Sequence, residues 1–169
     1  MKPLAHVIFA LLLAALQAAV LRWCGGGTVS LLLPVACVVY LGLHGGNVDG
    51  SVGAAGVGYV LDLVTGSPKG LMTFLSVALF LTVRAINAAV DVRARAAFAA
   101  LTLVGTLLLS VGALVLLRLT SPDEAMPGAA LLPRMLMEAL LTAAVSPLVL
   151  AGMRRIDRMF HREEPGLLR

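Results

Sequence analysis

Four ionisable residues, Asp62, Arg84, Arg134 and Glu138, lie inside otherwise apolar runs of this 169-residue chain. A charged group is expensive to bury in such a run, so it usually pairs with another group, lines an ion path or meets a partner. Arg134 and Glu138 are spaced i, i+4 and therefore share one face of a helix. These residues are compatible with three roles: a salt-bridge cluster that fixes helix packing, a surface that binds a partner, or a path for an ion.

The other side chains that could do chemistry have no productive spacing. His6, His44 and His161 fall in separate breaks or termini, which does not fit the ligand spacing of a metal site. Cys24 and Cys37 are too far apart to form a CxxC redox site. We find no paired acid and base and no activated nucleophile. The sequence therefore predicts a protein that is not an enzyme and that carries no cofactor and no metal.

The elements that position these residues are predicted to be membrane helices. The chain is 60% hydrophobic and 13% charged, whereas soluble domains are about 45–50% apolar and about 25% charged. A soluble domain of this length could not bury so much apolar surface. In lipid the backbone must satisfy its own hydrogen bonds, which favours helices. We therefore predict an all-α integral membrane protein with about six transmembrane helices in a compact bundle.

Polar and glycine-rich breaks divide residues 1–153 into six apolar runs, which predict spans at about 4–21, 28–43, 52–66, 71–89, 96–117 and 131–153. The second and third runs are short for a hydrocarbon core of roughly 30 Å. Either they cross the membrane together with their polar flanks, or the bilayer thins, or they form a re-entrant hairpin. Residues 154–169 alternate arginines with apolar residues and predict a basic amphipathic cytoplasmic tail, with a simple positive anchor as the alternative.

The cationic residues indicate the orientation of the bundle. Eight Lys and Arg lie in the termini and loops of one side and four in the loops of the other. Because positive charge is retained in the cytoplasm, both termini are predicted to be cytoplasmic. The net charge of +4 largely expresses this bias, and no basic stripe with interleaved aromatics suggests nucleic acid as a partner.

This orientation assigns a depth to each charged residue. Asp62, Arg134 and Glu138 fall in one layer of the outer half of the membrane, where Asp62 could neutralise Arg134 and join the third helix to the sixth. Arg84 falls near the cytoplasmic surface, toward which its long side chain is expected to extend. The middle of the bundle has no ionisable group, which disfavours an ion path.

Small residues are the second signal. Gly53, Gly56 and Gly58 lie along the third run, and such residues let two helix backbones approach closely in lipid. The approaching helix could belong to this chain or to a partner. We expect a partner's single transmembrane helix to dock beside these glycines, with outer contacts near Asp62 and residues 66–70.

Residues 58–70 read GYVLDLVTGSPKG and are followed by LMTFLSVALFLTV. This segment resembles the signature of MreD, a family of integral-membrane rod-shape-determining proteins of bacteria. Length, number of spans and a final apolar helix with Pro147 before an arginine-rich tail also resemble the family. The positions that match the signature are Gly58, Leu61, Asp62, Gly66, Ser67, Pro68 and Gly70.

The resemblance implies a non-enzymatic component of the wall-elongation machinery in the bacterial cytoplasmic membrane. It would bind the bitopic protein MreC and, indirectly, work with MreB, the RodA glycosyltransferase and its transpeptidase. The family bundle is also similar to the substrate-binding subunits of energy-coupling-factor vitamin transporters. The alternative is therefore a small-molecule-binding membrane subunit. The single Trp, two Tyr and five Phe are spread along the chain, which disfavours an aromatic ligand pocket.

Reporter fusions test the predicted orientation. Alkaline phosphatase is expected to be inactive when fused after Arg169 and active when inserted within residues 121–126, because the enzyme folds only outside the cytoplasm. The measurement is phosphatase activity normalised to fusion abundance. The reverse pattern would contradict the orientation and every depth derived from it.

Overall fold

The computed structural model describes residues 2–23, 32–65, 68–89, 95–120 and 128–161. Within these ranges the protein is all-helical, which confirms the predicted all-α class. In the same ranges, three helices contain segments long and apolar enough to cross a membrane, Leu71–Ala88, Ala96–Leu116 and Leu132–Arg158. The six helices of the described residues are α1 (Lys2–Trp23), α2 (Leu33–His44), α3 (Asn47–Thr65), α4 (Leu71–Ala89), α5 (Arg95–Thr120) and α6 (Gly128–His161).

α2 is the centre of the bundle. It contacts all five other helices, and residues Leu33 to Gly42 are buried. Its sequence, LPVACVVYLGLH, is apolar around most of its circumference, and a helix of this kind has no side that favours water. At 1.5 Å per residue it is only about 18 Å long. The short second run is therefore an internal helix around which the others are arranged.

The first amides of α2 are bonded by side chains of other helices. The Leu33 N–H donates to Gln17 Oε1 of α1 at 3.2 Å, and the Leu32 N–H donates to Thr142 Oγ1 of α6 at 3.3 Å. Pro34 lies in the first turn, where its missing N–H costs nothing. Because the first amides of a helix have no partner within it, α1 and α6 supply the partners that water cannot.

The last carbonyls of α2 are bonded by α4. Arg84 Nη1 donates to the Gly45 carbonyl at 2.8 Å, and Asn87 Nδ2 donates to the Leu43 carbonyl at 3.1 Å. A cation at this position also complements the negative end of the helix dipole. Arg84, which we expected to extend to the membrane surface, is half-buried and binds the chain itself.

α6 runs without interruption through two prolines, Pro133 and Pro147. Pro147 has no N–H for the Ala143 carbonyl, four residues earlier. The Ser146 hydroxyl donates to that carbonyl instead, at 2.8 Å. The helix continues to His161, so the predicted boundary between bundle and tail at 153/154 is not a helix end. The described part of the arginine-rich tail is the last part of α6.

α3 also differs from its predicted limits. It begins at Asn47, so the polar residues before the predicted start at 52 belong to the helix. Asp49 lies in its first turn, where a negative charge complements the helix dipole. The third run is therefore extended by its polar flank, which is one of the alternatives considered for a short run.

Substitution of Thr142 tests the bonding of the α2 N-terminus. Thr142→Val should lower the free energy of unfolding by about 1–3 kcal/mol, because the buried Leu32 N–H loses its acceptor. The matched control is Thr106→Val: Thr106 is also buried, and its hydroxyl donates only to the carbonyl of Thr102 in its own helix. Thermal unfolding in detergent measures both variants. Equal losses would contradict a special role for Thr142.

Candidate functional site

The two ends of the bundle carry different polar clusters. We call them the Asp62 end, where α3 ends and α4 begins, and the Asp157 end, where the start of α1, the last turns of α2 and the last turns of α6 meet. The described residues of the segment 58–70 lie at the Asp62 end. The residues that join the two chain termini lie at the Asp157 end.

Asp62 lies in the last turns of α3, and its carboxylate binds the start of α4. Oδ1 accepts the Met72 N–H at 2.8 Å. Oδ2 accepts the Gly70 N–H at 3.0 Å, the Thr73 N–H at 3.1 Å and the Thr73 hydroxyl at 2.6 Å. The residue is 6% exposed. Acidic side chains commonly cap the helix that follows them directly; here the cap comes from the preceding helix and holds α3 to α4.

Two glycines of the same segment permit this arrangement. A Cβ atom at Gly58 would lie 2.5 Å from the Cα of Thr73 and 2.9 Å from the Met72 carbonyl, so the backbones of α3 and α4 are in contact there. Gly70 has a φ of +93°, a conformation that side-chain-bearing residues rarely adopt. We call Gly58, Asp62, Gly70, Met72 and Thr73 the α3–α4 clamp.

Residues 68–70 of the segment form the turn before α4. The Pro68 carbonyl accepts the Leu71 N–H at 3.1 Å, and Pro68, Lys69 and Gly70 are exposed. Gly66, also a candidate from sequence, lies outside the described residues. The clamp therefore holds an exposed turn at the Asp62 end.

The predicted charged layer is not formed. Within the described residues α3 and α6 make no contact, because α2 lies against both. Arg134 is exposed, whereas Glu138 is buried on α6. The expectation that Asp62 neutralises Arg134 does not fit the structure, because the amides of α4 take the carboxylate oxygens. The sequence identified Asp62 as a key residue but assigned it the wrong partner.

The glycine face of α3 is filled by this chain. A Cβ at Gly56 would lie 2.5 Å from Val7 of α1, and a Cβ at Gly53 would lie 3.0 Å from Leu41 of α2. Together with the Gly58 contact to α4, these distances leave no space for another helix. The expected docking of a partner helix on this face does not fit the structure, which agrees with the alternative of internal packing.

The Asp157 end carries a polar network that sequence reasoning missed. His6 Nε2 lies 3.1 Å from Asp157 Oδ1, and the Tyr40 hydroxyl donates to Asp157 Oδ2. The Tyr40 ring stacks on His44, with ring centroids 4.6 Å apart. Asp157 therefore ties α1 and α2 to α6. His6, Tyr40 and Asp157 are distant in sequence. The only sequence signal for this network was the prediction that both termini lie on the same side of the membrane.

Both clusters bond helices to one another. Among the described residues, no three His, Cys, Asp or Glu side chains are grouped so that they could hold a metal ion. Comparison with known protein families, curated proteins and solved structures finds no match to this chain.

Substitution of Asp62 tests the α3–α4 clamp. Asp62→Ala should lower the free energy of unfolding by about 1.5–3 kcal/mol, because three amides and a hydroxyl lose their hydrogen bonds to a charged group. The control, Asp49→Ala on the exposed first turn of α3, should cost less than about 1 kcal/mol. Adding Arg134→Ala should not restore stability. A partial rescue by that second change would support the Asp62–Arg134 pair instead.

Proposed function

We propose that this protein is a multi-pass protein of the bacterial cytoplasmic membrane, with six spans and both termini in the cytoplasm. It acts as a non-enzymatic adaptor of the wall-elongation machinery, in the manner of MreD. It binds a bitopic MreC-type protein and through it supports MreB, the RodA glycosyltransferase and its transpeptidase.

The hydrogen bonds that other helices make to both ends of α2 support a bundle of six spans, although α2 is short. Irregular backbone is tolerated at membrane depth only where protein or a water-filled cavity surrounds it. Residues 32 and 45 meet this condition, since Thr142 of α6 accepts the Leu32 N–H and Arg84 of α4 donates to the Gly45 carbonyl. A central helix of about 18 Å can therefore belong to a membrane bundle without spanning the whole hydrocarbon core.

The observation that carries the proposal is the α3–α4 clamp. The positions that resemble the MreD signature, Gly58, Asp62 and Gly70, are joined in one contact set although twelve residues separate the first from the last. The clamp holds Pro68 and Lys69 exposed, on the outer surface in the proposed orientation.

The partner surface is placed on the exposed side of α3. Val52, Tyr59 and Leu63 are 56%, 60% and 65% exposed, and their spacing of seven and four residues puts them on one helix face. This face is continuous with the clamped turn at the Asp62 end. A partner's transmembrane helix on this face would leave its soluble part beside Pro68 and Lys69.

Capture of the partner tests the proposal. The tagged protein is purified in mild detergent from membranes that contain its own MreC-type protein, and the ratio of the two proteins is measured. Tyr59→Ala with Leu63→Ala should lower that ratio at least tenfold, since both side chains leave the contact. The control, Leu108→Ala with Val111→Ala on the exposed side of α5, should leave it unchanged.

Loss of capture should be accompanied by rounding of a rod-shaped host. Equal capture by both variant pairs would show that the interface does not lie on α3. Failure of the unchanged protein to capture the partner would contradict the adaptor role. Tight, stoichiometric binding of a vitamin by the purified protein would replace that role with the transporter-subunit alternative.

A further inference from the structure

A groove of about 630 Å³ runs along α6 at the Asp157 end. Its lining changes character along the helix. Pro147, Leu148 and Ala151 give an apolar half, whose floor is the buried Leu150. The other half is cationic and is lined by Arg154, Arg155 and Arg158.

The apolar and cationic halves share one side of the helix. Pro147, Ala151, Arg154 and Arg158 follow one another at intervals of three or four residues, which is the spacing of one helix face. The centres of the two halves are about 10 Å apart at 1.5 Å per residue. A ligand that fills the groove must therefore be amphiphilic along its own length.

The three guanidinium groups are open to an anion. Arg155 and Arg158 are exposed and Arg154 is half-buried, and no ion pair joins them to a described residue. The acid within this stretch, Asp157, directs its two carboxylate oxygens at His6 and Tyr40. Among the described residues, the ion pair that Asp157 forms is to His6 and not to Arg154, Arg155 or Arg158.

We propose that this groove binds an anionic phospholipid, whose phosphate lies on Arg154, Arg155 and Arg158 and whose acyl chain lies on Pro147, Leu148 and Ala151. Guanidinium groups bind phosphate oxygens in bidentate fashion. Basic pockets beside transmembrane helices bind anionic headgroups. A free phosphate would leave the apolar half empty, and a neutral lipid would leave the arginines unpaired. The proposal requires a membrane but does not rest on a role in wall elongation.

Lipid titration of the full chain in neutral detergent tests the cationic half. Native mass spectrometry measures the apparent dissociation constants of phosphatidylglycerol, phosphatidylcholine and inorganic phosphate. Phosphatidylglycerol should bind at least tenfold more tightly than either of the others. Changing Arg154, Arg155 and Arg158 to Gln should weaken it at least tenfold. The control variant, Arg118→Gln with Arg134→Gln, removes exposed arginines outside the groove lining and should bind like the unchanged protein.

A second variant tests the apolar half while all charges remain. Ala151→Phe fills the groove and should weaken phosphatidylglycerol binding several-fold, whereas Ala144→Phe, on an exposed position of α6 outside the groove lining, should not. Unchanged lipid binding by the triple arginine variant, or an equal loss in its control, would overturn the proposal. If inorganic phosphate binds as tightly as phosphatidylglycerol, the groove is a site for free anions and the lipid proposal is contradicted.

Discussion

Burial of a short helix on all sides is the constraint on which this structure depends. α2 has 12 residues and five neighbouring helices, and its first amides, at the buried Leu32 and Leu33, have no access to bulk water. Each such group costs about 1–3 kcal/mol if it stays unbonded. Gln17, Thr142, Arg84 and Asn87 supply the missing partners. Because these side chains come from α1, α6 and α4, bonding α2 also fixes the position of those helices along the bundle axis.

The same use of polar residues recurs elsewhere in this apolar chain. Asp62 bonds the start of α4, Ser146 bonds the carbonyl that Pro147 leaves open, and Asp157 bonds His6 and Tyr40. In each case a polar side chain bonds a backbone or side-chain group that has few other polar neighbours in this apolar chain. These residues act as joints between or within helices.

Much of the fold could be read from the sequence, because long apolar runs between clear breaks specify long helices. The prediction for residues 71–89 matches α4, and 96–117 lies within α5. α2 begins later than expected, at Leu33, beside Pro34, which favours a helix start. α3 begins earlier because glycines and polar residues obscured its first turns. These differences arise where the local composition favours one helix boundary and the packing of the bundle favours another.

The polar clusters were less predictable. Asp62 was identified from sequence as a carboxylate in an apolar run. Its predicted depth in the membrane was the same for a pair with Arg134 and for hydrogen bonds to the amides of α4, so the depth did not distinguish these partners. Asp157 looked like one charge within a basic tail, since nothing local links it to His6 or Tyr40. Pairings of this kind depend on which helices become neighbours, and that is decided by the packing of the whole bundle around α2.

The most direct test of the account is the environment of α2 itself. In a solution NMR spectrum of the protein in detergent, the amide protons from Val35 to Leu41 should show no cross-peaks to acyl-chain protons, whereas those near the exposed Leu11 and Leu12 of α1 should show them. Acyl-chain cross-peaks that recur along α2 with a helical period would place one side of it in lipid. That result would contradict a buried central helix and the role assigned to the side chains that bond its ends.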